Sequence, residues 1–413
     1  MVPKGWERKP IKELCESIID CVNKTATHVD HETPYKMIRT TNVRNGRVDV
    51  HNVRYVEEDT YKQWIRRGAP KDGDIIFTRE APVGEAGILE NAEGIFLGQR
   101  TMMYRSHPEK SDNRFLFYSL MSGYCQKQIE DLSNGGTVAH MRVPDCGELI
   151  INTPSLPEQR KIAKILSTWD KAIATTEQLI AASQQQKKAL MQQLLTGKKR
   201  LLNPETGKAF EGDWDRHSLS DLVYVDKKSL GKKTPDDFEF KYISLSDVAT
   251  GNIGANLEIH KYATAPSRAR RVLQNGDILL STVRPNLKGF AKISEKHADC
   301  IASTGFSVLT PKKRVSADYI YQYIFSSHVT GQIDSLVVGS NYPAINSSDV
   351  AGLKIYCPTY EEQQKIASVL TAADKEIELL QAKLAHLKEE KKALMQQLLT
   401  GKRRVKVETT EEA

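Results

Sequence analysis

The chain has 413 residues, with 59 Lys and Arg against 52 Asp and Glu for a formal charge of +7; that length exceeds one ordinary core and predicts two or three domains of roughly 100 to 200 residues. Its 39% hydrophobic and 27% charged residues exclude a disordered chain and point to long solvated helices, while the mild basic excess is compatible with a polyanionic partner. Six scattered cysteines (Cys15, Cys21, Cys125, Cys146, Cys300, Cys357), no C-x-x-C pair, no signal-peptide core between Met1 and Ser17 and no run of 18 apolar residues argue against a disulfide scaffold, a zinc module and a membrane span, and a reduced, soluble, cytoplasmic protein is expected.

In chain order, the first block has a β-branched run at Gly73-Asp-Ile-Ile-Phe-Thr78 and a helical stretch from Asn113 to Asp131. A long helix then starts near Pro157, with Glu158 in its first turn, and stops at Gly197 beside lysines. The second block repeats the plan with Asp277-Ile-Leu-Leu-Ser-Thr-Val283 and a helical stretch from Ala317 to Leu336, and a second long helix stops at Gly401. Each long helix is expected to span about 40 residues, or roughly 60 Å. The globular blocks read as α+β.

The chain is made of two copies. Lys187-Lys-Ala-Leu-Met-Gln-Gln-Leu-Leu-Thr-Gly-Lys198 returns unaltered at Lys391 to Lys402, a shift of 204, and residues 158 to 200 match 362 to 404 at 23 of 43 positions without a gap. The blocks match more loosely: Trp6 and Leu14 answer Trp214 and Leu222, Gly73-Asp-Ile75 answers Gly276-Asp-Ile278, and Pro154 answers Pro358. In the second helix, alternating steps of four and three select Ile366, Leu370, Ala373, Ile377, Leu380, Leu384, Leu387, Lys391, Leu394 and Leu398, a coiled-coil seam. The first helix carries the same frame with Ile162, Leu166, Trp169, Ile173, Thr176, Ile180, Ser183, Lys187, Leu190 and Leu194. An isolated helix cannot bury such a stripe, so the simplest reading pairs the two helices within one chain, and near-identical helices invite an approximate two-fold axis. The alternative is that each packs on its own block or on another chain.

No catalytic constellation assembles. Pro235-Asp-Asp-Phe-Glu-Phe-Lys241 has the letters of a nuclease PD…ExK site, but too close together for carboxylates from separate strands to share a metal. Thr196-Gly-Lys198 and Thr400-Gly-Lys402 resemble the tail of a phosphate loop without its first glycine, and read as helix stops. Asn203-Pro204 and Asn341-Tyr-Pro343 are not the motif with which amino-methyltransferases grip a flipped base, and the ten histidines lie singly.

What remains is binding chemistry near turns and strand ends. The candidates are Arg39, Thr40, Asn42, Arg44, Arg79, Arg100, Thr137, His140 and Arg142 in the first block, and Ser244, Ser246, Arg284, Asn286, Lys288, Asn341 and Asn346 in the second. Arg can bridge guanine O6 and N7, Asn can bridge the adenine edge, and the rest can hold phosphates; the bland reading of each is an exposed polar loop residue.

Taken together these residues resemble the specificity subunits of type I restriction-modification systems, over nearly the whole chain. The elements that carry the resemblance are Leu156-Pro-Glu-Gln-Arg-Lys-Ile-Ala163 and Glu362-Gln-Gln-Lys-Ile-Ala367, each closed by Leu-Met-Gln-Gln-Leu-Leu-Thr-Gly-Lys, with Gly73 to Gly84 and Gly276 to Asn286 resembling target-recognition domains. The resemblance implies two α+β target-recognition domains, 1–154 and 201–357, held by long helices at 155–200 and 358–402 that form an antiparallel intramolecular coiled coil with a pseudo-two-fold internal repeat, and a flexible tail at 403–413. Each domain would read one half of a split DNA site, and the chain itself would be non-catalytic. Two modification subunits would dock on the duplicated segments, including Glu158, Gln159, Lys161, Glu362, Gln363 and Lys365, and restriction subunits would complete the complex. S-adenosylmethionine, ATP and Mg²⁺ would belong to those partners. The competing readings are a coiled-coil adaptor without sequence-specific DNA binding, and a stand-alone nuclease or methyltransferase.

Overall fold

The computed structural model describes residues 2–22, 24–133, 139–337 and 343–407. It resolves into two compact units, residues 1–177 with 382–413, and residues 178–381. Each unit thus holds one globular block, the start of the long helix that follows it, and the end of the other long helix. The helices are Leu156–Leu194 and Tyr360–Leu398, of 39 residues each.

In the first unit a four-stranded antiparallel sheet runs in the order Cys15–Asp20, Thr101–Ser106, Ile75–Arg79, Val83–Ile88. A smaller sheet orders Arg54–Tyr55, Lys36–Ile38, Ile95–Leu97, with the last two parallel. A ribbon of Glu7–Pro10 against Ile150–Thr153 leads into the long helix. The core combines Ile75, Phe77, Met102 and Tyr104 with Phe115, Leu116, Ile162 and Leu166, and Leu398 and Leu399 complete it from the far end of the chain. The second unit repeats the plan: Val223–Val225, Phe306–Pro311, Ile278–Ser281 and Phe290–Lys292 form its main sheet. Its second sheet contains the parallel pair Glu239–Ile243 and Ile301–Ser303, and its core is closed by Leu194, Leu195, Ile366 and Leu370.

The helical stretches read as single elements are each two helices. Asn113–Leu120 is followed by Gly123–Ser133, and Ala317–Ile324 by Ser327–Leu336. The break has a local cause: Ser122 Oγ accepts from Cys125 N, and Ser326 Oγ from Val329 N, each at 3.3 Å, so a serine starts a new helix where the periodicity alone would carry through.

The long helices meet antiparallel inside each unit, and every seam position lies off the exposed surface. In the first unit Lys391 donates to Asp170 at 2.5 Å, and Glu177 lies between Lys388 and Arg47, each at 3.0 Å, which together hold its carboxyl below the usual range. In the second unit Lys187 donates to Asp374 at 2.5 Å and Ser183 meets Glu376. Lys187 and Lys391 are the lone charged residues of the two seams, and each finds an aspartate on the opposite helix. A polar residue in a seam fixes register, because every slipped alignment leaves it unpaired in an apolar stripe.

Both helices end at a glycine that must be left-handed: Gly197 and Gly401 both have φ of 70°. There Lys199 N donates to Gln193 O and Arg403 N to Gln397 O, satisfying the last carbonyls. A side chain at Gly401 would meet Pro3 at 2.4 Å, and one at Gly197 would meet Trp214 at 3.3 Å. These positions are helix stops rather than phosphate loops. The tail expected at 403–413 is anchored at its start, since Arg404 pairs with Glu158 and Val405 packs on the first core; residues 408–413 lie outside the described residues.

Candidate nucleic-acid interface

In the first unit three segments converge behind the strand Ile75–Arg79. Arg79 N donates to Arg100 O at 2.8 Å, Met141 N to Arg79 O at 2.9 Å, and Glu80 bridges His140. The parallel pair Ile38–Leu97 brings Arg39 to the same end, where Gly98 N donates to Ile38 O at 2.7 Å. Arg100, Thr41, His140 and Arg142 face solvent there, with Arg100 against Glu80 at 3.2 Å and Arg142 forked onto Asp145 at 2.7 and 3.1 Å. Arg39 is half-buried, and its guanidinium is pushed below its ordinary value first by burial and then by the neighbouring Arg54. Two cations held close together make this end receptive to a polyanion.

Other candidates of the first block serve the fold. Asn42, expected as a donor to DNA, is buried: its Oδ1 accepts from Arg39 N and its Nδ2 donates to Asp49 O and Asn52 O, so its amide closes the loop Arg39–Asn52. Arg79 is turned inward onto Asp20 at 3.0 Å and Met141 O at 3.2 Å. Arg44 returns to Thr40 O and Val43 O at 3.1 Å, and Thr40 is half-buried. A donor in a turn first satisfies the turn's own carbonyls, because a buried unpaired amide is costly. Thr137 lies outside the described residues.

The second unit builds the corresponding end differently. Ser244 donates to Asp247 from both N and Oγ, and its Oγ also meets Ser246 Oγ at 2.8 Å, so Ser244 is tied up while Ser246 stays at the surface. Asn346 is exposed but caps the helix Ser347–Gly352, accepting from Asp349 N at 2.9 Å. Arg284 and Asn286 are exposed and Lys288 half-buried, on the turn between Ile278–Ser281 and Phe290–Lys292. Arg284 N donates to Pro343 O at 2.7 Å and Val283 bridges Ala344, which fixes that turn against the segment that begins at Pro343; Asn341 lies outside the described residues.

The expected partner-binding carboxylates and amides are a correction. Glu158 is buried and forked by Arg404 at 2.6 and 2.8 Å, with Trp6 Nε1 donating at 3.3 Å. Glu362 is fully buried and forked by Arg200, both bonds at 2.7 Å. Gln159 accepts from Asp112 N and Gln363 from Ser316 N, each at 3.0 Å. Gln159 and Gln363 hold each block to the helix that follows it, Glu158 and Glu362 tie the start of each long helix to the segment after the end of the other, and burial takes all four off any docking surface; Lys161 and Lys365 are exposed.

Four residues of this machinery escaped the sequence reading: Arg200, Arg404, Asp170 and Asp374. Asp170 also accepts from Tyr118 Oη at 2.5 Å, and Asp374 from Gln322 Nε2 at 2.7 Å. A signal was available. All four belong to positions identical between the copies, 158/362, 170/374, 187/391 and 200/404, and each charged member has its partner in the other copy's frame. A duplicated, antiparallel pairing keeps both members of each pair in both copies.

The comparisons with known proteins point the same way. Residues 3–183 and again 211–389 match the family described as the type I restriction modification DNA specificity domain. The chain belongs to this family. It is the sequence-specific DNA recognition subunit of a type I restriction-modification system. It is 27% identical to the type I restriction enzyme MjaVIII specificity subunit of Methanocaldococcus jannaschii, over 83% of this chain and 85% of that one. A type I restriction-modification system S subunit from M. genitalium shares the fold at 16% identity, with a TM-score of 0.59 over 96% of each chain. A chain from a structural study of type I system assembly and conformational transition does so at 18% identity, with a TM-score of 0.56 over 98% of this chain and 100% of that chain. Among the described residues of the specificity subunit there is no cluster of His, Cys, Asp and Glu that could hold a metal, and no helix long and apolar enough to cross a membrane.

Proposed function

We propose that blocks 1–154 and 201–357 are target-recognition domains that each read one half of a split, asymmetric DNA site, and that this specificity subunit contributes no catalytic group of its own. The observation that carries the reading is one backbone plan used twice with different polar chemistry at the same end: Arg100, His140 and Arg142 in one unit, Arg284, Asn286 and Lys288 in the other. Exposed Arg and Asn are side chains that discriminate base edges, and lysines hold phosphates. Different side chains on a shared frame make the two half-sites different in sequence.

Two modification subunits supply S-adenosylmethionine-dependent adenine methylation, and restriction subunits supply ATP- and Mg²⁺-dependent cleavage, all in the cytoplasm. They dock on surfaces that the duplication repeats, for which Lys161 and Lys365 are the exposed candidates. The test is to co-express the chain with its modification subunit in a methylation-free host and map methyladenine by single-molecule sequencing. A single split motif with a fixed spacer and one methylated adenine on each strand is expected. No such motif, with the modification subunit active beside another specificity chain, would overturn the reading in favour of a coiled-coil adaptor. On the same reading, four residues inserted in one long helix, about 6 Å of rise, lengthen the spacer by at most about two base pairs at 3.4 Å each; an active insertion variant with an unchanged spacer would show that the helices are not the ruler.

A further inference from the structure

The turn between Ile278–Ser281 and Phe290–Lys292 reads Thr282-Val-Arg-Pro-Asn-Leu-Lys-Gly289. Pro285–Leu287 forms one tight helical turn bracketed by Arg284 at φ 49° and Lys288 at φ 51°. Left-handed backbone is unfavourable for any residue with a side chain, and it persists only where the surroundings over-determine it. Here they do. Arg284 N is bound to Pro343 O at 2.7 Å, Thr282 Oγ1 to Gly305 O at 2.8 Å, Ser281 Oγ to Val283 O at 2.6 Å and Lys288 N to Pro285 O at 2.9 Å, while Pro285 is buried.

On this fixed mount Leu287 is 65% exposed. A lone exposed leucine needs no explanation in itself. Leu379 on the second long helix, Leu202 after the first and Ile259 in a strand are as exposed, but none of them stands on a turn bracketed by left-handed residues. Leu287 differs in being set rigidly between Arg284, Asn286 and Lys288, so an apolar tip is presented within a positively charged collar. That combination suits a stacked polyanion: the cations draw in the phosphates, and the tip finds an apolar surface only between bases. Prying a base step open costs stacking energy, which a floppy loop would absorb by bending away and a preformed one can transmit.

We propose that Leu287 is an apolar wedge that enters between adjacent base pairs of the duplex half-site read by the second domain, with Arg284 and Lys288 on the flanking phosphates and Asn286 at a base edge. The inference rests on the recognition reading above and deepens it. In the first unit the same place is the shorter turn Glu80-Ala81-Pro82, which has no leucine and no cation, so the Leu287 wedge acts on the second half-site.

The experiment uses the full chain in complex with its modification subunit, on duplexes of the mapped motif carrying 2-aminopurine at one purine position at a time in both half-sites. The partner extrudes the adenine it methylates and gives an emission rise that does not depend on Leu287. The wedge gives a second rise, several-fold over the free duplex, at one step of a single half-site; Leu287→Ala abolishes it and Leu287→Met keeps it. Lys288→Ala lowers the slope of log affinity against log salt by about one. Specific methylation with no Leu287-dependent emission at any position overturns the wedge and leaves the recognition reading standing. So does a Leu287→Ala chain that loses only a thymine preference, which would make Leu287 a methyl contact. Absence of any methylated split motif overturns the recognition reading itself.

Discussion

The two units share a sheet, a helix pair and a Gly-Asp-Ile turn, yet treat the buried aspartate of that turn in opposite ways. Asp74 is forked by Arg105, at 2.9 and 2.7 Å, whereas Asp277 accepts only from Thr310 Oγ1 at 2.6 Å and from Gln274 N at 2.9 Å. The carboxylates at the helix starts differ likewise: Glu158 has both Arg404 and Trp6, while Glu362 has Arg200 alone and Trp214 Nε1 is buried without a partner. A duplicated backbone therefore does not require duplicated chemistry. What is held identical is whatever must meet the other copy, the Asp–Lys and Glu–Arg pairs. Within its own block a copy keeps some contacts, such as Gln159 and Gln363 on Asp112 N and Ser316 N, and has changed others, such as the partners of Asp74 and Asp277.

That contrast can be broken most forcefully at the Glu–Arg pairs. Removing one partner of a buried pair strands the other charge, so Arg200→Ala, which leaves Glu362 fully buried and unpaired, is expected to cost about 3–5 kcal/mol. Arg404→Ala is the milder change. Its side chain is 45% exposed and therefore partly screened, and Glu158 keeps Trp6, so about 1–2 kcal/mol is expected. Urea unfolding of the two variants decides the point; equal losses would show that the Trp6 bond contributes nothing.

A smaller difference is expected where each block hangs on an aspartate. Tyr118→Phe deletes a hydroxyl bound to Asp170 and is expected to cost about 1–2 kcal/mol. Gln322→Leu should cost about 0.5 kcal/mol or less, because Gln322 is buried with Oε1 unpartnered, so its removal relieves one unmet acceptor as it loses one bond, and Asp374 keeps Lys187. If Gln322→Leu proves as damaging as Tyr118→Phe under the same titration, the two attachments are equivalent after all.

The helices were legible in the sequence because three independent signals agree there: seam periodicity, the gapless repeat and the glycine stops. Even the interhelical ion pairs were legible in principle, through charged positions held identical between copies. The break after Leu120 was not, since periodicity runs on and only the hydroxyl of Ser122 starts a new helix. The donors divided along a line no sequence draws. Arg100 and Arg142 point outward while Arg79 and Asn42 point inward, and the difference is made by distant acceptors: Asp20 for Arg79, Asp49 and Asn52 for Asn42. Glu158 and Glu362 were misread for the same reason, because a charged residue beside a repeated apolar stripe looks like a docking surface until its arginine is found.

The smallest effect concerns pH and the second unit's aspartate of the shared turn. Burial pushes the Asp277 carboxyl up from its ordinary value, against the opposing pull of the Thr310 bond. Below the ordinary carboxylate value, folded and unfolded chains both hold the proton and the favourable contribution of the neutral buried carboxyl is complete. As pH rises the unfolded chain releases its proton first, and the contribution declines until it is lost above the raised value. Asp277→Asn carries no such titration. Its melting temperature relative to the unaltered chain should therefore climb as pH rises from below the ordinary carboxylate value to above the raised one, whatever constant offset comes from the lost acceptor. A pH series in which Asp277→Asn and the unaltered chain run parallel would mean that burial does not set the Asp277 carboxyl apart from that of the unfolded chain, and that a threonine partner is enough to offset its desolvation.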